Sequence, residues 1–244
     1  MSDAILEVAA NSVASACAAQ AGGAARVELC AALEVGGLTP SHAMIAMARE
    51  KLDIAVYVLI RPRAGDFVYS GLEIETMRRD IEACAALGCD GVVVGVLDAD
   101  GEVDLAACHT LMAAAGGMGV TFHRAFDLVR DQRKALEDVA ALGCERLLTS
   151  GGQLRAVDGA ARIRELVEQA GERLVVMPGA GIDSGNIATL AAATGAREFH
   201  ASAKRMLASR FCIDTPFADM SAGEMRTDEA EVRALVAALE LAGG

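Results

Sequence analysis

Eight short runs rich in Val, Ile and Leu alternate with longer alanine-rich amphipathic stretches, and this alternation limits the fold more than any other feature of the chain. The runs are Ile5–Ala9, Arg26–Cys30, Ile54–Ile60, Gly91–Val96, Val120–His123, Arg146–Ser150, Leu174–Met177 and Glu198–Ser202. Each has strand length and is followed by a segment that can form a helix, which is the pattern of βα units on a parallel sheet. Eight units in 244 residues predict a (βα)8 TIM barrel, a fold of about 250 residues. A doubly wound open sheet is the alternative. Its dinucleotide fingerprint is missing, because Gly179-Ala180-Gly181-Ile182-Asp183-Ser184-Gly185 departs from the G-x-G-x-x-G spacing by one residue and comes late in the chain.

Helix ends can be read between the runs. Thr39 before Pro40 is expected to cap one helix, and Asp104, Asp131 and Asp183-Ser184 later ones, while Gly88, Gly143 and Gly195 mark exits. After Lys204 the alternation stops: Phe211 to Met225 reads as irregular and Thr227 to Leu241 as one helix. The expected organisation is a single domain, with a barrel over residues 1–205 and a C-terminal extension over 206–244 whose closing helix packs on the barrel or at an oligomer interface.

Composition narrows the partners. A net charge of −12 and three lysines repel phosphate backbones and anionic lipid, so neither nucleic acid nor a membrane is expected as a partner. The first residues carry no basic start and no uninterrupted apolar core, and no apolar run approaches about 18 residues, so neither a signal peptide nor a membrane span is expected. Seven cysteines without a repeated short spacing fit reduced thiols and a cytoplasmic protein.

Barrel sites lie at the C-terminal ends of the strands, and a period of two decides which side chains enter the barrel. This places Glu7 of the first run and Glu28 and Cys30 of the second on the inner face. Arg61 ends the third run, His123 the fifth, and His200 and Ser202 the eighth. Acids, arginine and histidine converging at one mouth fit a proton-transfer site, in which Glu7, Glu28, His123 and Asp127 are the candidate catalytic groups. Glu7, Glu28 and Arg61 would serve equally as a buried ion-pair network. The loops Ser150-Gly151-Gly152 and Pro178-Gly179-Ala180-Gly181 offer backbone donors for a phosphate or carboxylate. Arg61, Arg63, Arg124, Ser150, Gly151, Gly152, Gly179, Gly181, His200 and Ser202 are therefore the candidate anion-binding residues.

At these strand ends the chain resembles the CutC family. The resemblance rests on Arg26-Val27-Glu28-Leu29-Cys30, Gly36-Gly37-Leu38-Thr39-Pro40-Ser41, Ile60-Arg61-Pro62-Arg63-Ala64-Gly65-Asp66-Phe67 and Gly91-Val92-Val93-Val94-Gly95-Val96-Leu97. It continues through Thr121-Phe122-His123-Arg124-Ala125-Phe126-Asp127, Leu148-Thr149-Ser150-Gly151-Gly152, Met177-Pro178-Gly179-Ala180-Gly181 and Glu198-Phe199-His200-Ala201-Ser202-Ala203. It implies a (βα)8 barrel, a cytoplasmic homodimer or higher homo-oligomer, and a part in copper homeostasis with Cu(I) as the bound ion. Cu(I) prefers thiolates, so Cys30, Cys84 and Cys89 are the candidate metal ligands. Three readings stand: copper handling, an enzyme acting on a small phosphorylated or carboxylated molecule, and a binding or assembly protein that makes no use of its mouth.

Overall fold

The computed structural model describes residues 4–213, 215–217 and 221–242. Eight parallel strands are present: β1 (Ile5–Ala10), β2 (Arg26–Leu29), β3 (Ala55–Leu59), β4 (Gly91–Val94), β5 (Gly119–Phe122), β6 (Arg146–Thr149), β7 (Val175–Pro178) and β8 (Glu198–Ala201). They run in the order β7-β6-β5-β4-β3-β2-β1-β8, and a bridge between Gly179 and His200 joins the two ends, so the sheet is a nearly closed barrel. Around it stand α1 (Val13–Ala21), α2 (His42–Lys51), α3 (Gly71–Ala86), α4 (Leu105–Ala115), α5 (Gln132–Ala141), α6 (Ala160–Ala170), α7 (Ile187–Thr194) and α8 (Glu229–Ala242).

The strand period divides two interiors. Leu6, Val8 and Ala10 of β1 and Val27 and Leu29 of β2 join the apolar layer between sheet and helices. Inside the barrel the apolar cluster is small, built on Cys30, Tyr57, Leu59 and Val93. Charge fills much of the rest. The Arg26 guanidinium binds the Glu7 carboxylate and, at 2.6 Å, that of Glu198, which also accepts from Arg146 at 2.7 Å. Tyr57 accepts from Arg146 at 3.0 Å and donates to Glu145 at 2.8 Å, with both guanidinium groups over its ring. Room for that ring comes from glycine, since a Cβ at Gly91 or Gly119 would overlap Tyr57.

The helix caps follow the expected chemistry with two changes. Asp104 and Asp131 cap α4 and α5. The cap of α2 is Ser41, whereas Thr39 accepts from the Arg61 amide at 2.8 Å and so ties the loop after β2 to the end of β3. At α7 the N-cap position falls on Asn186, and Asp183 instead accepts from the Gly185 amide at 3.0 Å. Beyond β8 the segment read as irregular contains part of an antiparallel hairpin of β9 (Lys204–Leu207) and β10 (Glu224–Thr227). These strands carry no apolar alternation, which is why the pattern did not reveal them. Helix α8 lies against α1 and α7 and buries Val232, Leu235 and Leu239.

Gly91→Ala should cost about 1–3 kcal/mol, because the added methyl must displace a ring held between two arginines. Urea unfolding should show a lower midpoint with an unchanged slope, and an unchanged midpoint would contradict this account of the interior.

Candidate functional site

A cavity of about 570 Å³ opens at the C-terminal ends of the strands, bordered among others by Glu28, Arg61, His123, Arg124, His200 and Lys204. Its floor begins with Glu28 on β2 and His200 on β8, which the barrel brings together across β1. His200 Nδ1 donates to Glu7 Oε1 at 2.7 Å and stands 3.7 Å from Glu28 Oε2. Glu7 is fully buried, and its second oxygen is held by Arg26.

This arrangement divides the charges. Burial favours a neutral Glu7, but the Arg26 charge and the His200 contact outweigh it and bring its pKa down to about 2. Burial opposes a charged His200 too, yet its hydrogen bond to Glu7 and the charges of Glu28 and Glu7 raise its pKa above the usual histidine value. Glu28 has no such support. Burial lifts it to about 7, with the Glu7 charge adding to the rise and His200 and Arg26 opposing it. Its Oε2 atom is buried without a hydrogen-bond partner.

Beyond the ends of β3 and β5 stand two donors with unpartnered atoms. His123 Nδ1 accepts from the Ala125 amide at 3.1 Å, which fixes the tautomer with hydrogen on Nε2, and Nε2 itself is buried without a partner. Burial, and next the Arg61 charge, lower its pKa to about 3, so the ring is neutral. The ring fits because β4 is followed by Gly95, where a Cβ would overlap it. Arg61 donates to the carbonyls of Val35, Gly37 and Gly65 at 2.8–2.9 Å, holding two loops, while its Nε is left without a partner.

The expected cradle after β6 is already filled. Asp127 Oδ1 accepts from Thr149 Oγ1 at 2.6 Å and from the amides of Ser150 and Gly152 at 3.0 Å, and Thr149 Oγ1 takes the Gly151 amide at 2.9 Å. The anion in this loop is thus the protein's own carboxylate, which Arg124 also binds at 2.8 Å. Asp127 holds loops together. Arg63 sits away from the cavity in ion pairs with Asp66 and Glu73. Gly181, His200 and Ser202 border the cavity, and Gly179 lies beneath it, where a Cβ would press on Leu148 and His200.

The CutC family model matches residues 4–205. The chain belongs to the CutC family. A family protein CutC from Xanthomonas campestris pv. campestris (strain B100) is 56% identical over 97% of this chain and 99% of its own length. One from Chromobacterium violaceum is 54% identical over 98% of this chain and 100% of its own. A solved CutC structure from Streptococcus agalactiae has 34% identity and a TM-score of 0.78, covering 82% of this chain and 98% of that one. A thiamine phosphate pyrophosphorylase from Pyrococcus furiosus, at 16% identity and a TM-score of 0.63 over 99% of this chain and 98% of that one, shares the fold alone.

In this chain the three candidate thiols are not brought together. Cys30 is buried inside the barrel with its Sγ toward the Ala10 carbonyl, and burial, then Glu28 and Glu34, raise its pKa. Cys84 and Cys89 are buried in the outer layer, joined through the Cys89 amide and the Cys84 carbonyl at 3.1 Å, and the nearness of the two thiols raises Cys84 and lowers Cys89. Among the described residues the close set of three His, Cys, Asp or Glu donors is Glu7, Glu28 and His200. There Glu7 and His200 bind one another and Glu7 also binds Arg26, so the set as built suits a shared proton better than a cation. Arg26, which helps set these charges, and Glu198, Tyr57 and Arg146 around it are not among the sequence candidates. Arg26 lies two residues before Glu28, so the same period would have placed it inside.

The signs of these shifts give a pH prediction. Glu28, whose folded pKa lies above its unfolded one, is bound to a proton more often in the folded state, so stability falls as pH rises from about 4.5 through about 7. Glu7 acts oppositely, its stabilisation being lost as pH falls from about 4.5 through about 2. Glu28→Gln should therefore gain stability relative to wild type between pH 5 and pH 8, by of order 1–3 kcal/mol. Parallel unfolding curves for the two proteins across that range would contradict it.

Proposed function

We propose that this CutC-family protein is an enzyme that moves a proton on a small phosphorylated or carboxylated molecule held at the barrel mouth. One observation carries the reading: Glu28 Oε2, His123 Nε2 and Arg61 Nε are buried, unpartnered, and belong to residues bordering one cavity. Buried polar atoms without partners are uncommon, and a ligand with an acidic hydrogen and a carbonyl-type oxygen would satisfy all three. In this reading Glu28, poised near neutrality, takes or returns the proton. The neutral His123 N–H and the Arg61 charge stabilise the negative oxygen that forms. Glu7 and Arg26 are positioning residues that keep His200 charged beside Glu28.

Incubation in D2O with a panel of phosphorylated and carboxylated hydroxy and oxo compounds tests this by NMR. Wild type should exchange a carbon-bound hydrogen in at least one compound, Glu28→Gln should slow the exchange by about 10²-fold or more, and His123→Ala by a similar factor. Absence of exchange across the panel, or exchange untouched by Glu28→Gln, would sink the proposal.

A second reading, Cu(I) capture, is favoured by the neighbouring buried thiols of Cys84 and Cys89 and by the copper homeostasis in the name of the Streptococcus agalactiae relative. Titration of reduced protein with Cu(I) against a competing chelator should then show a site that a Cys30→Ser, Cys84→Ser, Cys89→Ser variant lacks. Equal binding by both proteins would end this reading. The family resemblance carries a cytoplasmic homodimer or higher homo-oligomer into either proposal. No helix among the described residues is long and apolar enough to cross a membrane.

A further inference from the structure

Two loops at the mouth carry donors that nothing in the fold uses. The bridge between Gly179 and His200 sets the chain after β7 beside the chain after β8, so residues 180–182 and 202–204 leave the barrel as neighbours on the cavity wall. Among the described residues, the amides of Gly181, Ile182 and Ser202 donate to no protein group, and the Ser202 hydroxyl has no partner. Lys204, at the same wall, makes no ion pair, in contrast to Arg124 with Asp127 and Arg63 with Asp66 and Glu73. The β6 loop cannot compete for an anion, its amides being held by Asp127.

We infer that the β7 and β8 loops bind a phosphate monoester, and that the molecule turned over at Glu28 is a short phosphorylated hydroxy or oxo compound. This rests on the proton-transfer reading for its second half only. The unpartnered, more than nine-tenths buried side chains of Glu28, His123 and Arg61 border the same cavity and show independently that it is built for a ligand. Phosphate fits the donor set better than carboxylate. A carboxylate offers two oxygens in a plane, whereas a tetrahedral phosphate offers three terminal oxygens, which can accept from two loops and an ammonium group at once. With its phosphate at residues 180–182 and 202–204, the molecule extends over Glu28 and His200 toward the Arg61 and His123 donors.

Isothermal titration calorimetry with inorganic phosphate, glycerol 3-phosphate and acetate tests the inference on the full chain. Both phosphates should bind, acetate at least about tenfold more weakly, and the Ser202→Ala, Lys204→Ala double variant should lose about tenfold or more in phosphate affinity. Glu28→Gln should still bind phosphate, since a carboxylate offers the phosphate no donor and Glu28 acts on the other end of the molecule. No phosphate binding, equal binding of acetate, or undiminished binding by the double variant overturns the inference. Phosphate binding without hydrogen exchange in any compound would sink the proton-transfer reading and leave this site standing. Exchange confined to compounds lacking phosphate would do the reverse.

Discussion

The Arg26 guanidinium, buried inside the barrel between the carboxylates of Glu7 and Glu198, is the interaction on which the rest of the site depends. A barrel interior is ordinarily filled by branched apolar side chains. Here a charge lies at its centre, and a buried charge is tolerated only when paired and hydrogen-bonded. The pairing reaches outward in both directions. Toward one end of the strands, Glu198 passes the requirement to Arg146, Tyr57 and Glu145, the last of which is half exposed. Toward the mouth, Glu7 passes it to His200.

The consequence is a graded set of protonation states along the cavity floor. Glu7 is fixed as an anion by Arg26, and His200 is kept charged by Glu7 and Glu28. Glu28 is left beside a like-charged carboxylate and a burial penalty, with one cation 3.7 Å away, and so sits near neutrality. Neighbouring carboxylates with pKa values pushed apart by their surroundings take different roles, and here Glu7 supplies a fixed charge while Glu28 supplies the mobile proton. His123, beyond β5, is kept neutral by burial and by Arg61, which suits it to donate a hydrogen bond and not to carry charge.

The barrel was legible in the sequence because eight apolar runs repeat at a spacing that few other folds use, and the inward positions of Glu7, Glu28 and the histidines followed from a period of two. What the pattern could not supply was which partner each polar group finds. Ser150-Gly151-Gly152 reads as an anion cradle from its glycines, and it is one, but Asp127 fills it from 25 residues away. Arg63 reads as an anion clamp beside Arg61, yet only Arg61 turns inward, where three carbonyls take its two terminal nitrogens. Arg26 stands on the correct face, but a strand's first residue rarely reaches a site at its far end, so its position alone assigns it no role. The hairpin of β9 and β10 stayed hidden because its strands are charged and largely exposed.

The division of charge between Glu28, His200 and His123 is the core of this account, and NMR titration of the glutamate carboxyl carbons and the imidazole nitrogens reads it directly. With four histidines in the chain, assignment by His→Gln variants is tractable. The account predicts a Glu28 carboxyl titrating near pH 7, a His200 ring that stays protonated above the usual histidine range, and a His123 ring neutral with hydrogen on Nε2 down to about pH 3. A Glu28 titrating with ordinary carboxylates near 4.5, or a His123 charged at pH 6, would contradict it.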